Sequence, residues 1–348
     1  MRHFDVDFRD KNGERYQLSK RIAELTEALM ANYFVYDTEV LEGVWFRDGK
    51  FTYEQREEGT WLPFDTEHDT WGYADCYAWM KHSFTVPTRF AGRPVYYQIL
   101  PQEGKKWAWG SPQALLYANG EALQGFDSNH TRTRLLDCAQ GGEHYEMLLN
   151  LYAGGRDYEG KIGTRLRLLS VDDEVEKLYW HLRTPLEVAN LKEPDELARI
   201  HLLQTLNEAV SLVSFHLPYG EDFLESVREA TAYLEKELYG KREMEATVSA
   251  VGHTHIDVAW LWRLRQTRDK TSRSFATVLK LMEEYPDYRF MSSQAQLYEF
   301  IRQEYPAIFA RIRESVRQGR WEPEGGMWLE ADCNLTSGES LVRQFIHG

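Results

Sequence analysis

The sequence predicts a multidomain protein of α+β and α/β class: an amino-terminal β-sandwich with a lead-in helix, a helical connector, then the first strands of a parallel-stranded α/β domain. Three observations predict it. Short β-rich runs with turn signals crowd residues 40 to 170, helical stripes occupy 193 to 239, and strands alternate with helices beyond 246. At 348 residues, 43% of them hydrophobic, the chain has material for two or three cores.

Leu18, Ile22, Leu25 and Leu29 recur at helical spacing, so 16 to 35 reads as one amphipathic helix within a lead-in segment, 1–39. A β-sandwich-like domain is expected over 40–175, from runs such as HSFTV at 82 to 86, PVYYQIL at 94 to 100, ALLYA at 114 to 118 and YEMLLNLYA at 145 to 153. Asn119-Gly120 lies between apolar runs and supplies the two positive-φ residues of a tight hairpin turn. Trp107 and Trp109 alternate and so point the same way, as a core edge or as a platform for sugars.

The connector is expected over 176–245, with one helix carrying Leu203, Leu206, Val210 and Val213 and a second carrying Phe223, Val227, Leu234 and Leu238. Pro218-Tyr219-Gly220 separates them. From 246 the spacing predicts a strand over 246 to 252 and a helix around 264 to 284 with Phe275, Val278 and Met282 on one face. A strand YRFMSS at 288 to 293, a helix from about 296 to 318 and the run RWEPEGGMW follow. That cadence is of βαβ units, whose active sites lie at the carboxyl ends of the strands, just after 252 and 326.

A formal net charge of −14, from 55 acidic against 41 basic residues, repels phosphate backbones and anionic bilayers, so neither nucleic acid nor a membrane is an expected partner. Three scattered cysteines, Cys76, Cys138 and Cys333, do not form a disulfide framework, and no signal peptide is read at the start; a cytoplasmic location is expected. Aromatic residues make up 14% of the chain, more than a modest core requires, and aromatic faces are the usual apolar platform for sugars.

GHTHIDVAWLW at 252 to 262 places His253, His255 and Asp257 two apart at a strand end, where alternate residues share a face. Imidazole and carboxylate on one face suit a divalent metal, zinc first; a purely structural His–Asp hydrogen bond is the other reading. WEPEGGMWLEADCNLTSGES at 321 to 340 sets Glu322, Glu324, Glu330 and Asp332 among Trp321, Trp328, Gly325 and Gly326. Carboxylates beside sugar-stacking aromatics are the raw material of glycoside hydrolysis. Thr336-Ser337-Gly338-Glu339 has the form of a capping box, which makes Glu339 a helix cap.

Together the two motifs resemble glycoside hydrolase family 38, the α-mannosidases of bacterial and cytosolic type, strongly over 246–348 and more loosely before it. The resemblance implies that 246–348 is the amino-terminal part of the catalytic domain, truncated, and that His255 and Asp257 are the zinc-binding His-x-Asp. It implies that Trp260 packs under the bound mannose, with Trp328 a second substrate-binding aromatic, and that Asp332 is the nucleophile that also touches the metal. His253 is read as supporting the ligands from behind. The cofactor implied is Zn2+, with Co2+ or another divalent ion accepted by the same donors. The partner implied is an α-mannoside oligosaccharide, cleaved at terminal α-mannosyl residues by double displacement with retention; a homo-oligomer is compatible with the sequence.

The family supplies a further histidine ligand and an aspartic general acid from segments downstream of residue 348, and His347 lies too soon after Asp332 to be that ligand. The expectation is therefore an incomplete catalytic fragment with weak zinc binding and little turnover by itself. Two rivals stand beside it: an amidohydrolase-like metal hydrolase, read from His253-x-His255, and a non-catalytic carbohydrate-binding module carried by the sandwich.

Overall fold

The computed structural model describes residues 14–107, 111–155, 161–193, 196–216, 220–239 and 247–348; Trp109, Pro218 and Tyr219 of the sequence reading lie outside them. The chain opens with α1 (Glu14–Ala28), which runs into a π-helical turn at Leu29–Tyr33. Ten strands follow: β1 (Val35–Val40), β2 (Val44–Asp48), β3 (Leu62–Phe64), β4 (Tyr77–Thr85), β5 (Val95–Leu100), β6 (Gln113–Ala118), β7 (Glu121–Phe126), β8 (Arg132–Leu136), β9 (His144–Tyr152) and β10 (Arg165–Val171). They form two antiparallel sheets, ordered β1-β10-β5-β8 and β3-β2-β4-β9-β6-β7.

The pleat explains how these sheets stack. Val95, Tyr97 and Ile99 of β5 and Leu166 and Leu168 of β10 turn inward against Ala78, Met80, Phe84, Met147, Leu149 and Leu151, making the sandwich core. Tyr96, Leu169 and Val171 point the opposite way into a helical layer. Trp79, Leu115 and Tyr117 leave the outer face of the larger sheet for a third core shared with the carboxyl-terminal segment. Each sheet is thus covered on its inner face and over part of its outer face, which accounts for the apolar runs in β5, β6 and β10 and for much of the aromatic content.

Asn119 and Gly120 take φ values of 50° and 88° between β6 and β7, as the hairpin reading required. The Asn119 side chain also accepts the Glu146 N–H at 2.8 Å, tying the turn to β9. Trp107 is a core edge: it packs against the sandwich core and its indole N–H donates to the Gly163 carbonyl at 3.0 Å.

The helical layer holds α2 (Asp173–Asn190), α3 (Leu197–Leu212) and α4 (Glu221–Leu234). Leu18, Ile22 and Leu29 of the lead-in helix share its core with Leu178, Leu182, Leu206, Val210, Phe223 and Val227. The sequence reading had two helices here; α2 is a third, begun by Asp172, whose carboxylate accepts the Glu174 N–H at 3.1 Å. Pro185 sits inside α2 and removes the donor that would reach the His181 carbonyl. The Tyr239 hydroxyl supplies the missing bond, donating to that carbonyl at 3.1 Å.

The carboxyl-terminal segment carries β11 (Gly252–His253), α5 (Leu264–Glu284), β12 (Phe290–Met291), α6 (Ala295–Glu304), α7 (Pro306–Arg317), β13 (Trp321–Glu322) and α8 (Gly338–His347). The three strands pair in parallel, in the order β11-β12-β13, over two residues each. Phe275, Val278 and Met282 of α5 are buried as expected, and Trp321 stands edge-on to Phe275 at 5.1 Å with its indole N–H on the Tyr298 hydroxyl at 2.9 Å.

Three expectations need correction. Of the strand read over 246 to 252, whose first residue lies outside the described ones, only Gly252 pairs, together with His253, and Val248 and Val251 are exposed, because β11 pairs on one side alone. The single helix read over 296 to 318 is two, because Pro306 lacks an N–H and clashes with the preceding turn; it starts α7 instead. Ser337, not Thr336, caps α8 by accepting the Ser340 N–H, and Glu339 pairs with Arg343 at 2.9 Å rather than closing a capping box. Taken whole, the fold is mixed α and β, with eight α-helices among the described residues, none of them long and apolar enough to cross a membrane.

The docking of this segment on the sandwich depends on one glycine. A Cβ on Gly125 of β7 would meet the Arg273 Cβ at 2.8 Å and the Arg273 carbonyl oxygen at 2.9 Å, so α5 lies directly on the strand where Gly125 is bare. The Gly125 N–H donates to the Thr277 hydroxyl at 3.1 Å across the same contact.

Candidate functional site

The site is built from the loops that leave the carboxyl ends of the three parallel strands. After β11 the chain stays extended long enough for alternation to sort its side chains: Ile256 is fully buried, while His255 and Asp257 emerge on the other side. Their side chains meet, His255 Nε2 lying 3.0 Å from Asp257 Oδ1. The Asp257 carbonyl accepts the Trp262 indole N–H at 3.1 Å and the Thr267 hydroxyl at 3.3 Å, which anchors this loop to the start of α5.

The loop after β13 brings a second carboxylate. Glu330 Oε2 lies 3.1 Å from His255 Nδ1, and its other oxygen accepts the Ser293 hydroxyl at 2.9 Å from the loop after β12. The imidazole therefore bridges two carboxylates, one from each outer strand, and the middle strand's loop steadies the second.

Gln294 locks the three loops together. It is 4% exposed, sits at φ 71° in the left-handed region, donates from Nε2 to the Ile256 carbonyl at 2.9 Å and accepts the Glu330 N–H at 3.3 Å. A bulky-side-chain residue in that conformation persists only where its surroundings impose it. Sequence reasoning had set Glu330 among four acids without giving it a role, had assigned Asp332 of the same four as nucleophile, and had missed Ser293 and Gln294. Their position just past β12 was the available signal.

Asp332 stands apart from this cluster. Its Oδ1 accepts the N–H groups of Asn334 at 2.7 Å and Leu335 at 3.0 Å, folding the carboxylate back on its own loop. Those amides, Leu335 first, hold the carboxyl below its ordinary pKa, so it is ionised at neutral pH. Among the described residues it forms no hydrogen bond or ion pair with His255 or Asp257, and the carboxylate at the imidazole is that of Glu330, two residues earlier.

The remaining site residues scatter around the cluster. Trp260 is 67% exposed and stands edge-on to Trp262 with centroids 5.3 Å apart, leaving a face open to solvent beside Asp257. Trp328 donates its indole N–H to Gln296 Oε1 at 2.7 Å and lines a cleft of about 300 Å³ with Tyr298, Arg302 and Phe309; His255 does not line that cleft. His253 makes no hydrogen bond to His255 or Asp257 and instead faces the junction of the segment with β7.

One imidazole and adjacent carboxylates are suitable zinc donors. The count is short: among the described residues no group of three or more His, Cys, Asp or Glu side chains could hold a metal ion. The imidazole has a carboxylate at each nitrogen, so neither ring nitrogen is turned to an ion. This arrangement can bind sugar hydroxyls through its carboxylates.

Residues 245–348 match the Glycosyl hydrolases family 38 N-terminal domain. Alpha-mannosidase G of Dictyostelium discoideum is 29% identical over 291 residues, covering 78% of this chain and 25% of that protein. Alpha-mannosidase 2C1 of Homo sapiens is 31% identical over 300 residues, covering 80% and 27%. An alpha-mannosidase of Saccharomyces cerevisiae is 35% identical over 128 residues, covering 36% and 12%. The chain spans about a quarter of the length of the first two relatives. Solved β-glucuronidases of Ruminococcus gnavus match 40% of the chain at 11% identity with a TM-score of 0.26, too slight a likeness to bear on the fold.

Proposed function

We propose that this chain, which belongs to glycosyl hydrolase family 38 through residues 245–348, is the amino-terminal portion of a zinc-dependent retaining α-mannosidase that removes terminal α-mannosyl residues from oligosaccharides. The observation that carries the reading is the meeting of His255, Asp257 and Glu330 at the carboxyl ends of parallel strands, inside the segment that matches the family. In this reading 246–348 is the beginning of a parallel-stranded catalytic domain, with the sandwich and helical connector as accessory layers.

His255, its Nε2 released from the direct contact with Asp257, and Asp257 itself would hold the zinc, with Asp332 and a ligand outside the described residues completing its shell. Zinc supplies a Lewis acid for the hydroxyls of the sugar when bound. Asp332 is the nucleophile: its ionised carboxylate attacks the anomeric carbon, the glycosidic C–O bond breaks as the leaving oxygen takes a proton from a general acid outside the described residues, and a mannosyl ester forms. Water then cleaves the ester, and two inversions give net retention. For that attack Asp332 must leave the amides of Asn334 and Leu335 and turn toward His255, a rotation of one side chain in an exposed loop. Trp260, already open to solvent, offers the apolar face for the sugar ring. Glu330 orients His255 through Nδ1. A cytoplasmic location belongs to the same reading and is supported by Cys76, Cys138 and Cys333 all being free thiols.

Hydrolysis of an aryl α-mannoside by the full-length protein tests this, with the product anomer read by NMR. The α-anomer of mannose should form first, and Asp332→Asn should remove turnover by a factor of about 10³ or more. Amide cleavage without mannoside cleavage would replace the reading with that of an amidohydrolase-like enzyme.

A further inference from the structure

We propose that the cleft between the β7–β8 turn and α5 binds a small oxyanion, a phosphoryl or carboxylate group carried by a ligand of sugar size. The cleft has a volume of about 280 Å³ and is lined by Asp127, His130, Lys270, Arg273 and Ser274. It borders the His255 loop through His253 and Thr254 but is lined by none of His255, Asp257 or Glu330, and the proposal does not rest on the mannosidase reading.

Lys270 and Arg273 lie one turn apart on the face of α5 that borders the cleft. Neither forms an ion pair among the described residues. Arg273 hydrogen-bonds the Gln113 side-chain oxygen, and the Lys270 ammonium sits 4.3 Å over the Trp262 ring. Arg132, Arg134 and Arg228, by contrast, rest on carboxylates. Two partly desolvated cations side by side repel each other and lose hydration, a cost that an anion between them reverses. A guanidinium and an ammonium converging from one helix face suit an oxyanion, the first through paired N–H donors and the second as a point charge.

The carboxylate in the lining, Asp127, is engaged within its own turn through one oxygen: Oδ1 accepts the N–H groups of Asn129 and His130 at 2.8 and 2.9 Å and lies 3.0 Å from His130 Nδ1. With Asp269 of α5 it favours the charged form of Arg273, but neither forms an ion pair with it. The Ser274 hydroxyl borders the same space without a hydrogen bond among the described residues. Because the Arg273 backbone rests on Gly125, the cationic face is held rigidly against the sheet before any ligand arrives.

Calorimetric titration of the whole chain with inorganic phosphate, and separately with acetate, at constant ionic strength in chloride tests the proposal. Saturable binding is expected, weakened about tenfold or more by Arg273→Met and by Lys270→Gln and unchanged by Arg317→Gln, whose partner is a surface glutamate. Tighter phosphate than acetate assigns a phosphoryl ligand, and the reverse a carboxylate. Absence of saturable binding of both anions, or binding that Lys270→Gln leaves unchanged, would overturn the proposal; Lys270→Gln decides the matter even where Arg273→Met fails to fold.

Discussion

The phenolic hydroxyl of Tyr77 in β4 donates to the carboxylate of Asp269 in α5 at 2.7 Å, a bond that joins the sandwich to the segment bearing the candidate site. Lys50 approaches the same carboxylate oxygen at 3.5 Å, and Asp75 pairs with Arg265 at 2.9 Å close by. The loop holding His255 and Asp257 leads into this end of α5, so its position is set partly by a different layer of the molecule.

Tyr77→Phe should therefore destabilise the chain by about 1–2 kcal/mol, because the aromatic packing remains while a part-buried carboxylate loses a donor. Urea unfolding measures it. An unchanged midpoint would mean that the two layers do not depend on this bond.

Gly125→Ala probes the same junction from the other side. The added methyl cannot fit between β7 and the α5 backbone without moving one of them, and a loss of about 1–3 kcal/mol is expected. Amide hydrogen exchange should show faster opening of α5 with little change in β9.

His82 gives a pH signature. It lies fully enclosed in the sandwich, 2.8 Å from the Tyr97 hydroxyl, and burial pushes its pKa down to about 3. The unfolded chain, with an ordinary value of about 6.5, binds the proton more readily. The stability this histidine contributes is fully present above that value and is lost as pH falls toward 3. His82→Gln, which retains a partner for Tyr97, should flatten the decline in thermal midpoint between pH 7 and 4; an equal decline in both proteins would remove the buried histidine as its cause.

Gln294→Ala tests the lock between the strand ends. It leaves the Ile256 carbonyl and the Glu330 N–H without their partner and keeps a side chain in the left-handed region. A loss of about 2–3 kcal/mol is expected from two broken bonds at a buried position. In the full-length protein mannoside turnover should fall as well, since Glu330 is no longer held at His255. Full activity with unaltered stability would show that the loops align without it.

These features differ in how far they could be read in advance. Local chemistry was legible: the Asn119-Gly120 turn, the apolar stripe of α5 and the alternation that puts His255 beside Asp257 each depend on neighbours in sequence. Features that depend on distant partners were not. A proline such as Pro185 is unfavourable inside a helix, and nothing local reveals that Tyr239 would satisfy the carbonyl it leaves open. Gln294 resembles any other polar residue until the loops from β11 and β13 close around it. Between Glu330 and Asp332 the choice turned on loop geometry: an Asx turn at Asp332 withdraws its carboxylate and leaves Glu330 to reach the imidazole.

The zinc content of the full-length protein, measured by elemental analysis after gel filtration for the parent and for His255→Ala, tests the central claim most directly. The account predicts about one zinc per chain in the parent, as for a single catalytic site, and almost none in His255→Ala. Zinc retained at the parental level when the imidazole is gone would contradict it.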